Sequence, residues 1–583
     1  MAGKTSGRYR VWKWLAGILA LLVLLVGAGA IYLSSRWKPL LTEKIKTGVF
    51  DGSKGLYRIS FRDISLNLLT GSATLDEVSL IPDTAVFNKL KASKKAPAHL
   101  FEIKLKRLQF SRIHILRAYF KKKVEMNAIV LKKPSINLIY NKLDERPDAV
   151  EDERSLYQQI SQTLKSVHVG TIKIEDADFD YINGSTSRSM NSVKHLNITV
   201  NDLLIDSLAQ FDSTRFFYTK DINFELTGYR SLGKDKMYTM KIDTIAGSAK
   251  GQFVRLKGFQ MIPMYPDLAF SRKYTYGKDR YDLNFDEIRL NGVDFVKLND
   301  EGVLHAKVLK IGPAKAAIFV NRELPAPPGF DKLRNFPHVA VKRIPVPTAI
   351  DSIVIDNVDV AYTEYNPMSE KKGTIYFQNL KGNILNVTND SARIAVNHHA
   401  VASLTALVMK TSRINVLIDF DLKDKYAAFT YRGTVAPMNM LVLNPMAKNM
   451  GLVEISSGRM QKVTFDIQAN SRGSSGIVQF NYTDLNVKLL KAGEDGKGMK
   501  KKGLLSFLAN TLLIKNNNPD EGQAPRKARI KFTRTPAASF FNQLWKGVFI
   551  GIRETVGLSV VPVKTPEEAM KKVKDKLKKK DGD

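Results

Sequence analysis

The side chains in this sequence that could do acid-base, nucleophilic or metal chemistry are few, and their spacing assembles no site. Cysteine is absent, which removes disulfides, thiolate metal sites and cysteine nucleophiles. The eight histidines include one adjacent pair, His398-His399. In a strand two such rings point to opposite faces, so a shared metal is not expected. Asp176, Asp178 and Asp180 resemble the opening of a calcium loop. Such a loop needs glycine after its third acid and a bidentate glutamate at its twelfth position. Tyr181 and Ser187 stand there instead. Gly473-Ser474-Ser475-Gly476 is one residue short of a nucleophile elbow and reads as a polar turn. The Gly/Lys cluster from Gly493 to Gly503 lacks the spacing of a phosphate-binding loop. The expectation is no catalytic residue, no cofactor and no metal. An exported enzyme with a site that short motifs do not reveal is the minor alternative.

The elements that would position any site are strands. From Leu56 onward apolar residues mostly alternate, as in Tyr57, Ile59 and Phe61 against Arg58, Ser60 and Arg62. Period two over short runs, punctuated by Gly, Asn and Asp, predicts strands and hairpins almost to Leu490. The pattern also repeats. Leu75 to Pro82 matches Leu256 to Pro263, and Phe101 to Phe110 matches Tyr281 to Leu290. Val124 to Leu143, with Pro134 inside, matches Val303 to Leu324, with Pro313 inside. Ile172-Lys-Ile174-Glu-Asp176-Ala-Asp178-Phe179-Asp-Tyr181 matches Ile353-Val-Ile355-Asp-Asn357-Val-Asp359-Val360-Ala-Tyr362. Collinear matches at one offset, about 180 residues, mark a duplicated unit. In the second copy Ala361 replaces the third acid of the calcium-like run, which favours solvent-facing strand positions for all three.

Helical signals are few. Leu156, Ile160 and Leu164 form one short stripe, and 324–347, with Pro325, Pro327 and Pro328, reads as an irregular loop. An apolar helix is expected at 504–514. Ala538 to Leu558 reads as an amphipathic helix bearing Phe540, Phe541, Leu544, Trp545, Phe549 and Ile552. That helix would either cap the last strands or lie in a membrane interface, with the lysine-rich tail on anionic headgroups.

At the other end, Leu15 to Leu33 carries no charge and is long enough to approach the roughly 30 Å of a hydrocarbon core. Trp14, Leu15, Leu19, Leu22, Leu25, Tyr32 and Leu33 are the candidate anchor residues, with aromatic rings at the interfaces. Lys4, Arg8, Arg10 and Lys13 precede the run without an acid among them, which favours a cytoplasmic N-terminus. Ala28-Gly29-Ala30 leaves a cleaved signal peptide open as the alternative. Either way the body is exported. Its charge of +33 favours anionic partners. No zinc-finger spacing or RNA-recognition signature accompanies it, so anionic lipid is expected rather than nucleic acid.

Four places together resemble the AsmA-like proteins, relatives of the TamB group and of bridge-like lipid transfer proteins. They are the anchor followed by Tyr57 to Pro82; the strand ending at Pro134-Ser-Ile136-Asn-Leu138; the tail of Gly433 to Pro437, Asn444-Pro445, Ser457-Gly458 and Gly476 to Leu485; and the ending Phe540-Phe541, Trp545-Lys546-Gly547 and Gly551-Ile552. The resemblance implies a Gram-negative inner-membrane anchor, a periplasmic body and a β-groove whose apolar lining shields acyl chains of phospholipid in transit toward the outer membrane. The expected fold is mainly β: a transmembrane helix, then a long curved antiparallel groove of tandem repeats, then a C-terminal amphipathic helix. The expected division is 1–36 for the stub and anchor, 37–232 and 233–410 for the two groove units, 411–491 for a terminal β segment and 492–583 for the linker, helices and basic tail. Ile172, Ile174, Phe179, Tyr181, Ile353, Ile355, Val360 and Tyr362 are the candidate groove lining. The same alternation also fits faces packed on each other as ordinary core. A membrane-anchored scaffold for envelope assembly, with protein partners and no lipid transport, is the second reading.

Overall fold

A chain whose apolar residues alternate can bury them all only as strands with one face covered. The computed structural model describes residues 37–67, 70–141, 156–161, 163–212, 214–233, 235–451, 453–492, 499–501 and 515–557. Its 24 strands form one large sheet that is mixed but largely antiparallel. The expected anchor, the expected helix at 504–514 and the basic tail lie outside the described residues. Among the described residues no helix is long and apolar enough to cross a membrane.

Contacts divide the chain into two compact units. The first runs to Tyr229 and adds Ile242–Leu256 and Val293–Gly302. The second takes Arg230–Lys241, Lys257–Gly292 and the chain from Val303. The strands in chain order are β1 (Tyr57–Ser60), β2 (Asp63–Asn67), β3 (Ser72–Pro82), β4 (His99–Ser111), β5 (Lys123–Lys132), β6 (Ser135–Tyr140), β7 (Ser166–Asn183), β8 (Arg188–Ile205) and β9 (Asp221–Leu232). They continue as β10 (Tyr238–Ser248), β11 (Phe253–Pro263), β12 (Arg280–Asn291), β13 (Leu304–Ile311), β14 (Ala314–Asn321), β15 (Thr348–Asn366), β16 (Lys371–Thr388), β17 (His399–Val408) and β18 (Ser412–Asp421). The last are β19 (Phe429–Val435), β20 (Met438–Asn439), β21 (Val453–Ala469), β22 (Gly473–Ala492), β23 (Met499–Lys501) and β24 (Lys527–Thr533).

The duplication is visible in the strand pairing. In the first unit β4 pairs antiparallel with both β5 and β6, and β7 runs parallel to both. In the second, β12 pairs antiparallel with β13 and β14, and β15 runs parallel to both. The expected sheet was antiparallel throughout; these four parallel pairings correct it. Parallel neighbours need a crossover of about a dozen residues or more. The stretch between Tyr140 and Ser166 supplies one, and the proline-rich stretch between Asn321 and Thr348 supplies the other.

Backbone detail repeats as well. Tyr57 Oη accepts a hydrogen bond from the Phe101 backbone N–H at 3.2 Å, and Tyr238 Oη accepts one from Tyr281 N–H at 3.1 Å. Burial pushes both phenols above the ordinary tyrosine range. Left-handed backbone recurs at Glu77 and Gly258, Lys122 and Gly302, and Asp176 and Asn357. The last pair are bulges, where the registers of β7 with β8 and of β15 with β16 both slip. An extra residue there shifts the apolar alternation by one, which keeps Ile174, Ala177 and Phe179 on one face.

Two local expectations change. Gly473 to Gly476 opens strand β22 instead of forming a turn. A Cβ on Gly473 or Gly476 would collide with the carbonyl of Phe532 or of Asp466, so glycine permits close strand approach there. The His398 and His399 rings lie side by side, with centroids 4.3 Å apart, because the strand starts only at His399. His399 Nδ1 pairs with Asp419 at 2.8 Å.

Candidate functional site

Alternation puts the candidate lining on strands, and register decides whether it forms a surface. In the first unit Ile64, Leu75, Leu108, Leu131, Ile174, Ile198 and Phe224 are successive cross-strand partners from β2 to β9. A neighbouring row runs through Phe110, Ile129, Ile172, Val200 and Ile222. Partners in register share a face and touch, so each row is a continuous apolar stripe across the strands. Phe179 and Tyr181 continue the face beside Ile136 and Leu138 of β6.

The second unit repeats this over a longer span. Leu290, Leu309, Ile353, Ile384, Ala402, Ile418, Tyr431, Ile467, Gly476 and Ile530 are successive partners from β12 to β24. A parallel row takes Ile288, Ile311, Ile355, Gly382, Leu404, Val416, Gly433, Phe465, Val478 and Ala528. Neither row contains a charged residue. Val360 and Tyr362 extend the face beyond the Asn357 bulge, against Ala316 and Ile318 of β14.

Burial along these rows is uneven. Ile64, Leu75 and Leu108 are fully buried in a core that includes Leu41, Ile45 and Val49 of the helix Trp37–Gly52, whereas Leu131, Ile174, Ile198 and Phe224 are half-buried. In the second unit Leu290, Leu309, Ile353 and Ile384 are half-buried, while Ile418, Tyr431, Ile467 and Ile530 are buried. Tyr362 is buried as well: its hydroxyl donates to Glu364 Oε1 at 2.7 Å, and Arg322 clamps that carboxylate from 2.5 and 2.7 Å. Burial, and the neighbouring carboxylate after it, push the Tyr362 phenol far above its usual range. A polar cluster thus interrupts the apolar face at this end of β15.

The amphipathic helix is observed at Phe540–Thr555, packed on β22 and β24 and capped by Ser539, whose side chain accepts from Asn542 N–H. Gln543, Gly547, Gly551 and Thr555 form its buried stripe, at the four-residue spacing of one helical face. Phe540 packs among Phe336, Phe420 and Phe429 with ring centroids 5.3 to 5.8 Å away. Phe541 meets Tyr362 at 4.7 Å and Phe377 at 5.6 Å. Leu544 and Ile552 flank the same core. Trp545 and Phe549 stack on each other at 5.8 Å on the side away from the buried stripe, and Phe549 is 41% exposed. The small-residue seat of this helix escaped the sequence reading; the four-residue spacing of Gly547 and Gly551 was the available signal.

No family model and no curated protein matches the chain.

Chemistry elsewhere on the strands is that of ion pairs. Asp176 pairs with His195 Nδ1 at 2.7 Å, Asp178 with Lys194 at 3.1 Å, and Asp180 accepts from Ser189 at 3.2 Å. The calcium-like run therefore spends its carboxylates on cross-strand partners. Burial opposes ionisation of Asp202, but hydrogen bonds from His168, Lys220 and Arg215 hold its carboxyl down to about 2. Among the described residues no three acidic or histidine side chains gather in a way that could hold a metal ion.

Proposed function

We propose that the chain holds or conducts phospholipid in an apolar β-groove, anchored in the inner membrane of a Gram-negative bacterium with its body in the periplasm, and so contributes to outer-membrane lipid homeostasis. The observation that carries this reading is the uncharged row Leu290–Leu309–Ile353–Ile384, in register and only half-buried. Each CH₂ that an acyl chain removes from water on such a stripe is worth about 0.8 kcal/mol. Rungs of similar chemistry hold a chain about equally at every position, which lets it slide. The resemblance to AsmA-like proteins, the uncharged run Leu15–Leu33 and the charge of +33 point the same way. On this reading Trp545, Phe549 and the lysines after them meet anionic headgroups.

The test is mass spectrometry of lipids that co-purify with the full-length protein, set against the Ile353→Asp/Ile355→Asp variant. The expected result is stoichiometric phospholipid in the native protein and its loss from a variant with unchanged circular dichroism. A native protein that carries no phospholipid would sink the groove reading and leave the envelope scaffold.

A further inference from the structure

We infer that the helix Phe540–Thr555 is a built-in end-stop: it fills the β21–β24 part of the second unit's apolar rows, where Phe465, Ile467, Val478, Ala528 and Ile530 are all buried, and confines acyl chains to the strands before it. The inference rests on the lipid-groove reading above. The rows are continuous across the boundary, because Tyr431 of β19 pairs with Ile467 of β21 and Gly433 of β19 with Phe465 of β21. Only their cover changes. Over the later strands the helix backbone lies directly against the sheet. A Cβ on Gly547 would collide with the Tyr431 hydroxyl, and one on Gly551 would collide with Val478. Tyr431 and Val478 belong to the two rows themselves. A helix seated this closely leaves no space beneath it for a methylene chain.

The seat is fastened at both ends. Gln543 Nε2 donates to the Asn470 and Gly473 carbonyls at 3.0 and 3.1 Å and to Ser474 Oγ at 3.1 Å. Just before the helix, buried Arg534 donates to the Ser471, Thr535, Pro536 and Ala538 carbonyls and pairs with Asp331. After it, Lys515 N–H donates to the Val556 carbonyl at 3.1 Å. The occupant of the closed part is thus a segment of the chain itself. Lipid enters and leaves the second unit from the β12 side.

The experiment uses full-length protein in vesicles of phosphatidylethanolamine and phosphatidylglycerol containing a phospholipid with a diazirine in its acyl chain. After illumination the labelled peptides are mapped by mass spectrometry. Label is expected on β12, β13, β15 and β16 and at background on β21, β22 and β24. In the Gly547→Leu/Gly551→Leu variant, whose side chains force the helix off its seat, label is expected to spread onto β21–β24. Label on β21–β24 of the native protein overturns the end-stop and leaves the groove intact. Label that stays confined in the variant overturns the role of the helix. Label on neither set overturns the groove reading, and the end-stop falls with it.

Discussion

Along the row through Ile353 and Ile467, the part on β12–β16 is half-buried and the part on β17–β24 is a closed core. Ile353 and Ile467 lie on the same ladder; Ile353 is partly open, and Ile467 is 0% exposed. The strands themselves do not account for the difference. It comes from Phe336 and His338 and from the helix Phe540–Thr555, which together cover the later strands. An apolar alternation therefore states that a face must be covered without stating by what. A segment of the same chain covers one part, and the proposed acyl chain covers the other.

The largest test of that contrast is a cavity made under the cover. Ile467→Ala should lower the unfolding free energy by about 4 kcal/mol, since its neighbours are held on every side and cannot collapse into the gap. Urea unfolding followed by circular dichroism measures it. A loss near that of an exposed site would mean that the helix is not seated as described.

Next in size is the pH dependence of the cover. His338 is buried against Phe420 and Phe429, and its Nε2–H donates to the Ala427 carbonyl at 3.1 Å. Its Nδ1 finds no hydrogen-bond partner among the described residues. Burial, with Lys342 adding a little, pushes its pKa down to about 4 from an ordinary value of 6.5. The folded state thus keeps the ring neutral while the unfolded chain takes up a proton. Stability from this group is present in full above about 6.5, falls as the pH drops toward 4 and is flat below that. The span is worth about 3 kcal/mol. His338→Leu should remove that slope between pH 6.5 and 4 in urea midpoints. A slope unchanged by the substitution would place the titrating group elsewhere.

Much of this arrangement could be read in the sequence. The match of Ile172 and Ile174 to Ile353 and Ile355 identified the duplicated face, because in-register apolar residues recur where they must pack alike. Pro134 and Pro313 were matched as parts of one repeated segment, and the structure shows each at the break between two strands, β5 and β6 or β13 and β14. The parallel pairings could not be read, because alternation is the same in parallel and antiparallel strands, and only the crossover length separates them. The repeat extends to the short helices before β5 and β13: Gly302 stands where the first copy has Lys122, and both backbones turn left-handed there as the helix ends. The cover was hardest to foresee. An amphipathic helix rich in Phe and Trp fits a sheet and a membrane equally well by pattern. Only contact shows that its glycine face is the docked one.

The smallest expected effect is at Ile353, and it is the most informative. Ile353→Ala should cost about 1 kcal/mol of unfolding free energy, because a half-buried side chain gives up only part of its transfer energy and water fills the space it leaves. Ile353→Asp should also leave a folded protein, since the carboxylate can stay hydrated where the face is open. The same aspartate at Ile467 would be buried without a partner and should prevent folding of the second unit. Limited proteolysis of the two variants separates these outcomes. If Ile353→Asp is as disruptive as Ile467→Asp, the β12–β16 face is packed as core, and no acyl chain has room there. If Ile353→Asp folds and loses bound phospholipid, folding and lipid binding draw on different parts of one apolar row.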